Sequence, residues 1–145
     1  MPASFLKNAT LVNEGQQLHV DILIQNQRIQ KIVKRGDKVE LPADCISMDL
    51  QGKYILPGVI DDQVHFRDPG LTHKGDLETE SRAAVAGGVT SFMDMPNTIP
   101  NVLTQELLEE KYAAAKGRSW ANYSFYMGTS NSNAEEVLKT NPENV

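Results

Sequence analysis

Gly58-Val59-Ile60-Asp61-Asp62-Gln63-Val64-His65-Phe66-Arg67-Asp68-Pro69-Gly70 is the stretch on which the reading of this chain turns. Pro57-Gly58 opens it, Pro69-Gly70 closes it, and residues 58–66 read as a strand. Side chains alternate along a strand, so Asp61, Gln63, His65 and Arg67 share one face and Asp62, Val64 and Phe66 the other. The second face has two apolar members and suits packing against helices. The first is wholly polar, and burying such a set is costly unless its members are satisfied or serve a ligand. A solvent-exposed strand end would account for any one of them. Four in phase just before a Pro-Gly turn point to a functional site.

Outward from this strand the chain alternates strands with helices. Leu77–Ala86 reads as a helix, with Asp76 as N-cap and Gly87-Gly88 as the stop. Val89–Met95 is the next strand. Thr104–Lys116 is the next helix, with Leu108, Tyr112 and Ala115 on one stripe. Asn122–Met127 is a third strand, and Asn133 caps a short helix with Glu136 at the capping-box position. Strand–helix repetition at this spacing implies βαβ units and a parallel sheet. In such sheets the carboxyl ends of the strands carry the chemistry, here Gln63–Arg67, Met95–Asn97 and Met127–Thr129.

Toward the N-terminus the texture changes. Phe5–Val12, His19–Ile24, Arg28–Val33 and Ile46–Leu50 are β-type stretches, with turns at Asn26-Gln27 and Arg35-Gly36-Asp37. The expected organisation is a β-rich sandwich portion over residues 1–54 and the first β/α units of a barrel over residues 55–145. The chain has 145 residues, whereas a complete (β/α)8 barrel takes ~250. The expected fold is therefore α/β: a partial TIM-type barrel preceded by a small β-sandwich portion.

Composition narrows the function classes. A net charge of −5 without a dense basic stretch argues against nucleic acid as the main partner. A single cysteine, Cys45, excludes an internal disulfide framework and any Cys-rich zinc module. Neither a signal pattern at Met1–Lys7 nor an apolar run near the ~20 residues of a membrane span is present, so a cytoplasmic location is expected. His73 in the Leu71–Lys74 loop and His19 in the β-rich region read as structural or solvent-exposed. Met93, Met95 and Met127 read as packing residues.

The strand at 61–65 resembles the first barrel strand of the amidohydrolase superfamily, Asp-x-His-x-His. With His65-Phe66-Arg67-Asp68-Pro69-Gly70-Leu71-Thr72-His73-Lys74-Gly75-Asp76, Ala86-Gly87-Gly88-Val89-Thr90 and Asp94-Met95-Pro96-Asn97-Thr98, the chain looks like a dihydroorotase over residues 53–101. The resemblance implies reversible hydrolysis of the cyclic amide of L-dihydroorotate to N-carbamoyl-L-aspartate, in de novo pyrimidine synthesis, by a zinc-dependent hydrolase. It implies that Arg67 and Asn97 hold the substrate carboxylate, a role suited to a guanidinium fork and an amide donor. It implies that His65 is a metal ligand and Asp61 a supporting residue.

One position departs from the family pattern. Gln63 stands where the first metal histidine is usual, and a neutral amide oxygen is a poor zinc ligand beside imidazole. One zinc ion or two therefore stay open. The remaining ligands and the general base are expected beyond Val145, and the 145-residue chain alone is expected to be inactive. Two other readings stand beside the dihydroorotase: a non-catalytic dihydroorotase-like subunit partnering aspartate carbamoyltransferase, and another cyclic amidohydrolase of dihydropyrimidinase or allantoinase type. The expected partners are the small-molecule substrate and a homo-oligomer or aspartate carbamoyltransferase, with neither nucleic acid nor membrane.

Overall fold

The computed structural model describes residues 2–142. The chain divides into two compact units, Met1–Pro57 and Gly58–Val145.

The first unit is a mixed five-stranded sheet. Its strands are β1 (Ser4–Asn13), β2 (Gln16–Gln25), β3 (Arg28–Lys34), β4 (Ile46–Asp49) and β5 (Tyr54–Ile55). β1, β2 and β3 form an antiparallel meander, while β4 and β5 both run parallel to β1. The two hairpin turns need a left-handed backbone at both central residues. Glu14-Gly15 has φ 49° and 73°, and Asn26-Gln27 has φ 51° and 60°. β2 is buried on both faces from Val20 to Leu23. Val20 and Ile22 pack with Ala9 and Leu11, whereas Leu23 packs with Ala3 and Phe5. The two-residue strand β5 escapes a pattern reading because its length shows no periodicity, and Tyr54 is exposed.

The second unit has the expected β/α order: β6 (Val59–Val64), α1 (Leu77–Ala86), β7 (Val89–Asp94), α2 (Gln105–Ala115), β8 (Asn122–Phe125) and α3 (Ala134–Lys139). Its sheet is wholly parallel, in the order β6-β7-β8. Phe66, Leu77, Phe92, Val102, Leu108, Ala115 and Phe125 form its core. The rings of Phe66 and Phe92 pack at a tilt of 50°, with their centroids 4.5 Å apart. No helix among the described residues is long and apolar enough to cross a membrane.

Helix α1 starts and stops where its sequence says. Asp76 accepts the amides of Glu78 (2.9 Å) and Thr79 (3.0 Å), satisfying donors that a helix start otherwise leaves open. These contacts, the Thr79 amide and hydroxyl foremost, hold the Asp76 carboxyl below its usual range. Gly87 closes the helix, and Gly88, at φ 92°, turns the chain into β7.

Three expectations need correction here. Asn133 precedes α3 but makes no side-chain cap. Its Oδ1 instead accepts from Ser130 N (2.7 Å), and its Nδ2 donates to the carbonyls of Leu103 and Gly128 (2.9 Å each). Glu136 does not close a capping box on its own helix. It caps α2, its Oε2 accepting the Gln105 amide at 3.1 Å, and that amide leads the contacts that lower its carboxyl pKa. Leu108, Tyr112 and Ala115 of α2 face the core as expected, Tyr112 half-buried, but the stripe as read lacks a member: Lys111 is buried beside them.

Candidate functional site

The site forms where β6 and β7 end. β6 stops at Val64, earlier than the strand read from the sequence, and the chain leaves it through His65, Phe66 and Arg67. Arg67 has φ 69°, a left-handed conformation uncommon for a residue with a side chain, and its carbonyl accepts the Leu71 amide at 3.0 Å. This turn starts the loop 68–71. Gly70, at φ 83°, lies so close to the next loop that a Cβ would overlap the Ile99 carbonyl.

The two strand ends are laced together. The Met95 amide donates to Val64 O (3.0 Å), and the Ile99 amide donates to Pro69 O (3.2 Å). Between these bonds, His65 Nδ1 lies 2.9 Å from Asn97 Oδ1. With a carboxamide oxygen as acceptor, Nδ1 carries the ring proton in this assignment, and Nε2 of a neutral ring offers a lone pair. Asn97 Nδ2 makes no hydrogen bond among the described residues. The half-buried Arg67 likewise has neither an ion pair nor a side-chain hydrogen bond among them. Two donor groups that suit a carboxylate therefore stand without a protein acceptor, at the ends of adjacent strands.

The other nominated residues divide. Gln63 is exposed and its amide donates to Asp61 Oδ1 at 3.2 Å, so the half-buried Asp61 caps its own turn. The expected alternation fails at one residue. Val64 and Phe66 face the core as expected, but Asp62 is exposed and lines a groove together with Gln63. The cause is an irregularity in the β6–β7 register between Asp61 and Val64, which rotates the strand and brings successive side chains to one side.

That groove, of ≈ 410 Å³, crosses the carboxyl ends of all three strands and is walled further by Met95, Pro96, Tyr126 and Met127. His65, Arg67 and Asn97 do not line it. Met95 and Met127 were read only as packing residues. Tyr126 was missed altogether: its hydroxyl donates to Asp62 O at 3.0 Å and ties the end of β8 to β6. A tyrosine in a short apolar strand carries no sequence signal of that role.

Catalytic zinc typically takes about three protein ligands. Among the described residues no three His, Cys, Asp or Glu side chains gather to hold an ion. Asp61 Oδ1 accepts the Gln63 amide and His65 Nδ1 faces Asn97, which leaves Asp61 Oδ2 and one imidazole nitrogen, fewer than three ligands. These residues do not fit a zinc site by themselves. Elsewhere, His73 is exposed in its loop, and His19 Nδ1 lies 3.3 Å from Arg35 Nη2 in the first unit.

The sequence model of the family described as Dihydro-orotase-like matches residues 52–140. A dihydroorotase of Lactobacillus helveticus (strain DPC 4571) is 41% identical over 107 residues, which cover 72% of this chain and 23% of that protein. An allantoinase of Deinococcus radiodurans is 35% identical over 133 residues, covering 91% of this chain and 29% of that protein. Among solved structures, the L-hydantoinase (dihydropyrimidinase) from Arthrobacter aurescens superimposes with a TM-score of 0.86 at 31% identity, covering 96% of this chain and 30% of that one. The chain thus spans less than a third of the length of each of these relatives.

Proposed function

The chain belongs to the dihydro-orotase-like family, and from that membership we propose that it is a portion of a dihydroorotase. The whole protein would reversibly hydrolyse the cyclic amide of L-dihydroorotate to N-carbamoyl-L-aspartate, in the cytoplasm, in de novo pyrimidine synthesis. The observation that carries this reading is the His65–Asn97 contact two residues before Arg67, with Asn97 Nδ2 and the Arg67 guanidinium both lacking acceptors among the described residues. Both forms of the substrate bear a carboxylate that does not react. A guanidinium and a carboxamide donor can grip it by charge-assisted hydrogen bonds and so orient the scissile amide. His65 fixes the Asn97 carboxamide, so that its NH2 group faces the ligand and its oxygen faces the ring.

Zinc, as one ion or two, enters the proposal as a content to be measured on the protein as encoded, with Gln63 as the doubtful ligand position. A metal-free protein without ring-opening activity that binds aspartate carbamoyltransferase tightly would replace this reading with the non-catalytic subunit.

The second reading, a hydantoinase- or allantoinase-type amidohydrolase, is favoured by the likeness to the L-hydantoinase structure and the allantoinase sequence. Hydantoin and allantoin rings lack the dihydroorotate carboxylate, so one substitution separates the two. In the protein as encoded, Arg67→Ala should lower kcat/KM for dihydroorotate by the worth of a charge-assisted hydrogen bond, ~1.5–3 kcal/mol. Turnover of hydantoin or allantoin by the parent protein, unchanged in Arg67→Ala, would reject the dihydroorotase in favour of the second reading.

A further inference from the structure

Asp94 and Lys111 form an ion pair that the proposed chemistry does not use. Asp94 ends β7 and is 0% exposed; Lys111 lies on the inner stripe of α2 and is 3% exposed. Lys111 Nζ stands 2.8 Å from Asp94 Oδ2. Taking both charges out of water is expensive, and mutual attraction alone seldom makes such a pair better than two apolar side chains. Its geometry therefore calls for a reason beyond holding the core together.

The remaining contacts of the pair supply one, because all of them run to strand ends. Asp94 Oδ1 accepts the Phe66 amide at 3.0 Å, and Phe66 is the residue between His65 and Arg67. Lys111 Nζ donates to Met95 O at 3.1 Å, two residues before Asn97. The same ammonium lies 4.7 Å from the centre of the Phe125 ring, which ends β8. The Asp94 carbonyl accepts the Tyr126 amide at 3.1 Å. The side chains of one buried pair thus hold the backbone at two strand ends, those of β6 and β7, beside the nominated site residues, and the ammonium also packs on the ring that ends β8.

We propose that Asp94 and Lys111 are positioning residues, which set the register of the 65–67 segment against Met95–Asn97 and so bring His65, Arg67 and Asn97 into a working arrangement. The Phe66 amide lies beyond the last residue of β6, where no ladder partner would otherwise hold it. With that amide anchored, the left-handed turn at Arg67 starts from a fixed point. Neither residue itself lines the groove or touches the His65–Asn97 contact; the pair reaches the groove through the backbone of Met95 and Tyr126. In its kinetic arm this inference rests on the dihydroorotase reading.

The test uses the protein as encoded, with the double variant Asp94→Leu/Lys111→Met, which removes both charges and the acceptor of the Phe66 amide and nearly preserves volume. The expected result is a melting temperature close to that of the parent, a KM for dihydroorotate raised about tenfold or more, and a smaller change in kcat. An unchanged KM in a folded double variant, or a fall in kcat alone as from a loss of folded molecules, would overturn the proposal. Amide hydrogen exchange of the unaltered protein decides the matter where the variant does not fold. Phe66 should exchange as slowly as the amides of β7. Exchange as fast as in the exposed residues 72–74 would refute the anchoring. A parent protein inactive on dihydroorotate would instead strike at the function proposed above, and the exchange measurement would still decide the role of the pair.

Discussion

The two units of the molecule each bury an aspartate and satisfy it in opposite ways. In the N-terminal sheet, Asp21 is bonded by backbone alone. Its Oδ1 accepts the amide of Asn8, at the irregularity in β1 (2.8 Å), and its Oδ2 accepts that of Gly36, in the turn after β3 (3.0 Å). Asp94 accepts one backbone amide and spends its other oxygen on a buried ammonium. Asp21 stitches a bulge and a turn to the middle of a sheet, and no cation is needed because two amides donate to it. Asp94 recruits a charge from a helix and fastens strand ends that carry exposed polar residues. A buried carboxylate is thus a device for local architecture in one unit, and a junction beneath a candidate site in the other.

The contrast can be broken by comparing substitutions. Lys111→Met alone should have the largest effect, about 3–5 kcal/mol of stability, because it leaves a buried carboxylate without its cation. Urea unfolding beside the double variant described above checks this, and the double should recover most of the loss. Asp21→Ala should cost about 1–3 kcal/mol for each amide left without an acceptor. It should leave the exchange of Phe66 untouched. A change at Phe66 would show that the two aspartates are not separate devices.

Smaller effects sharpen the picture around the site. Gly70→Ala places a side chain at φ 83°, against the Ile99 carbonyl. A cost of about 1–2 kcal/mol is expected from the backbone conformation, with faster exchange of the Ile99 amide as the loops separate. Asp76→Asn should have the smallest effect, and that effect should depend on pH. The folded-state carboxyl titrates below its ordinary value of 3.8, so the contribution is fully present above that pH and is lost as pH falls below it. Melting curves of parent and variant should therefore converge in acid. A difference that persists there would assign the cap to neutral hydrogen bonding.

The α1 boundaries, the Asp76 cap, the glycine stop and the β/α order were all legible in the sequence, because each depends on residues within a turn or two of one another. The strand that carries Asp61 and Gln63 was legible for the same reason, though it ends at Val64 and leaves His65 and Arg67 in the loop beyond it. The pattern misled where geometry broke the period. The register irregularity in β6 turned Asp62 to the groove with Gln63. Asn133 and Glu136 have the types and spacing of a capping box, yet each bonds outside α3, because loop and helix partners lay within reach once the chain had folded. Lys111 sits on a helix face where charge is unexpected, and nothing local announces that an aspartate waits beneath it.

The amino-acid sequence on its own determined the succession of strands and helices, the places where they start and stop, and a cluster of polar residues at one strand end. Those properties follow from backbone sterics, capping and side-chain periodicity, which act over a few residues. Only the tertiary structure decided that His65 meets Asn97, 32 residues away, that Phe66 hangs from Asp94, 28 residues away, and that Glu136 caps a helix 31 residues before it. Such contacts depend on how parallel strands register and how helices lie across them, and a buried polar group takes whichever partner that packing brings within hydrogen-bond distance.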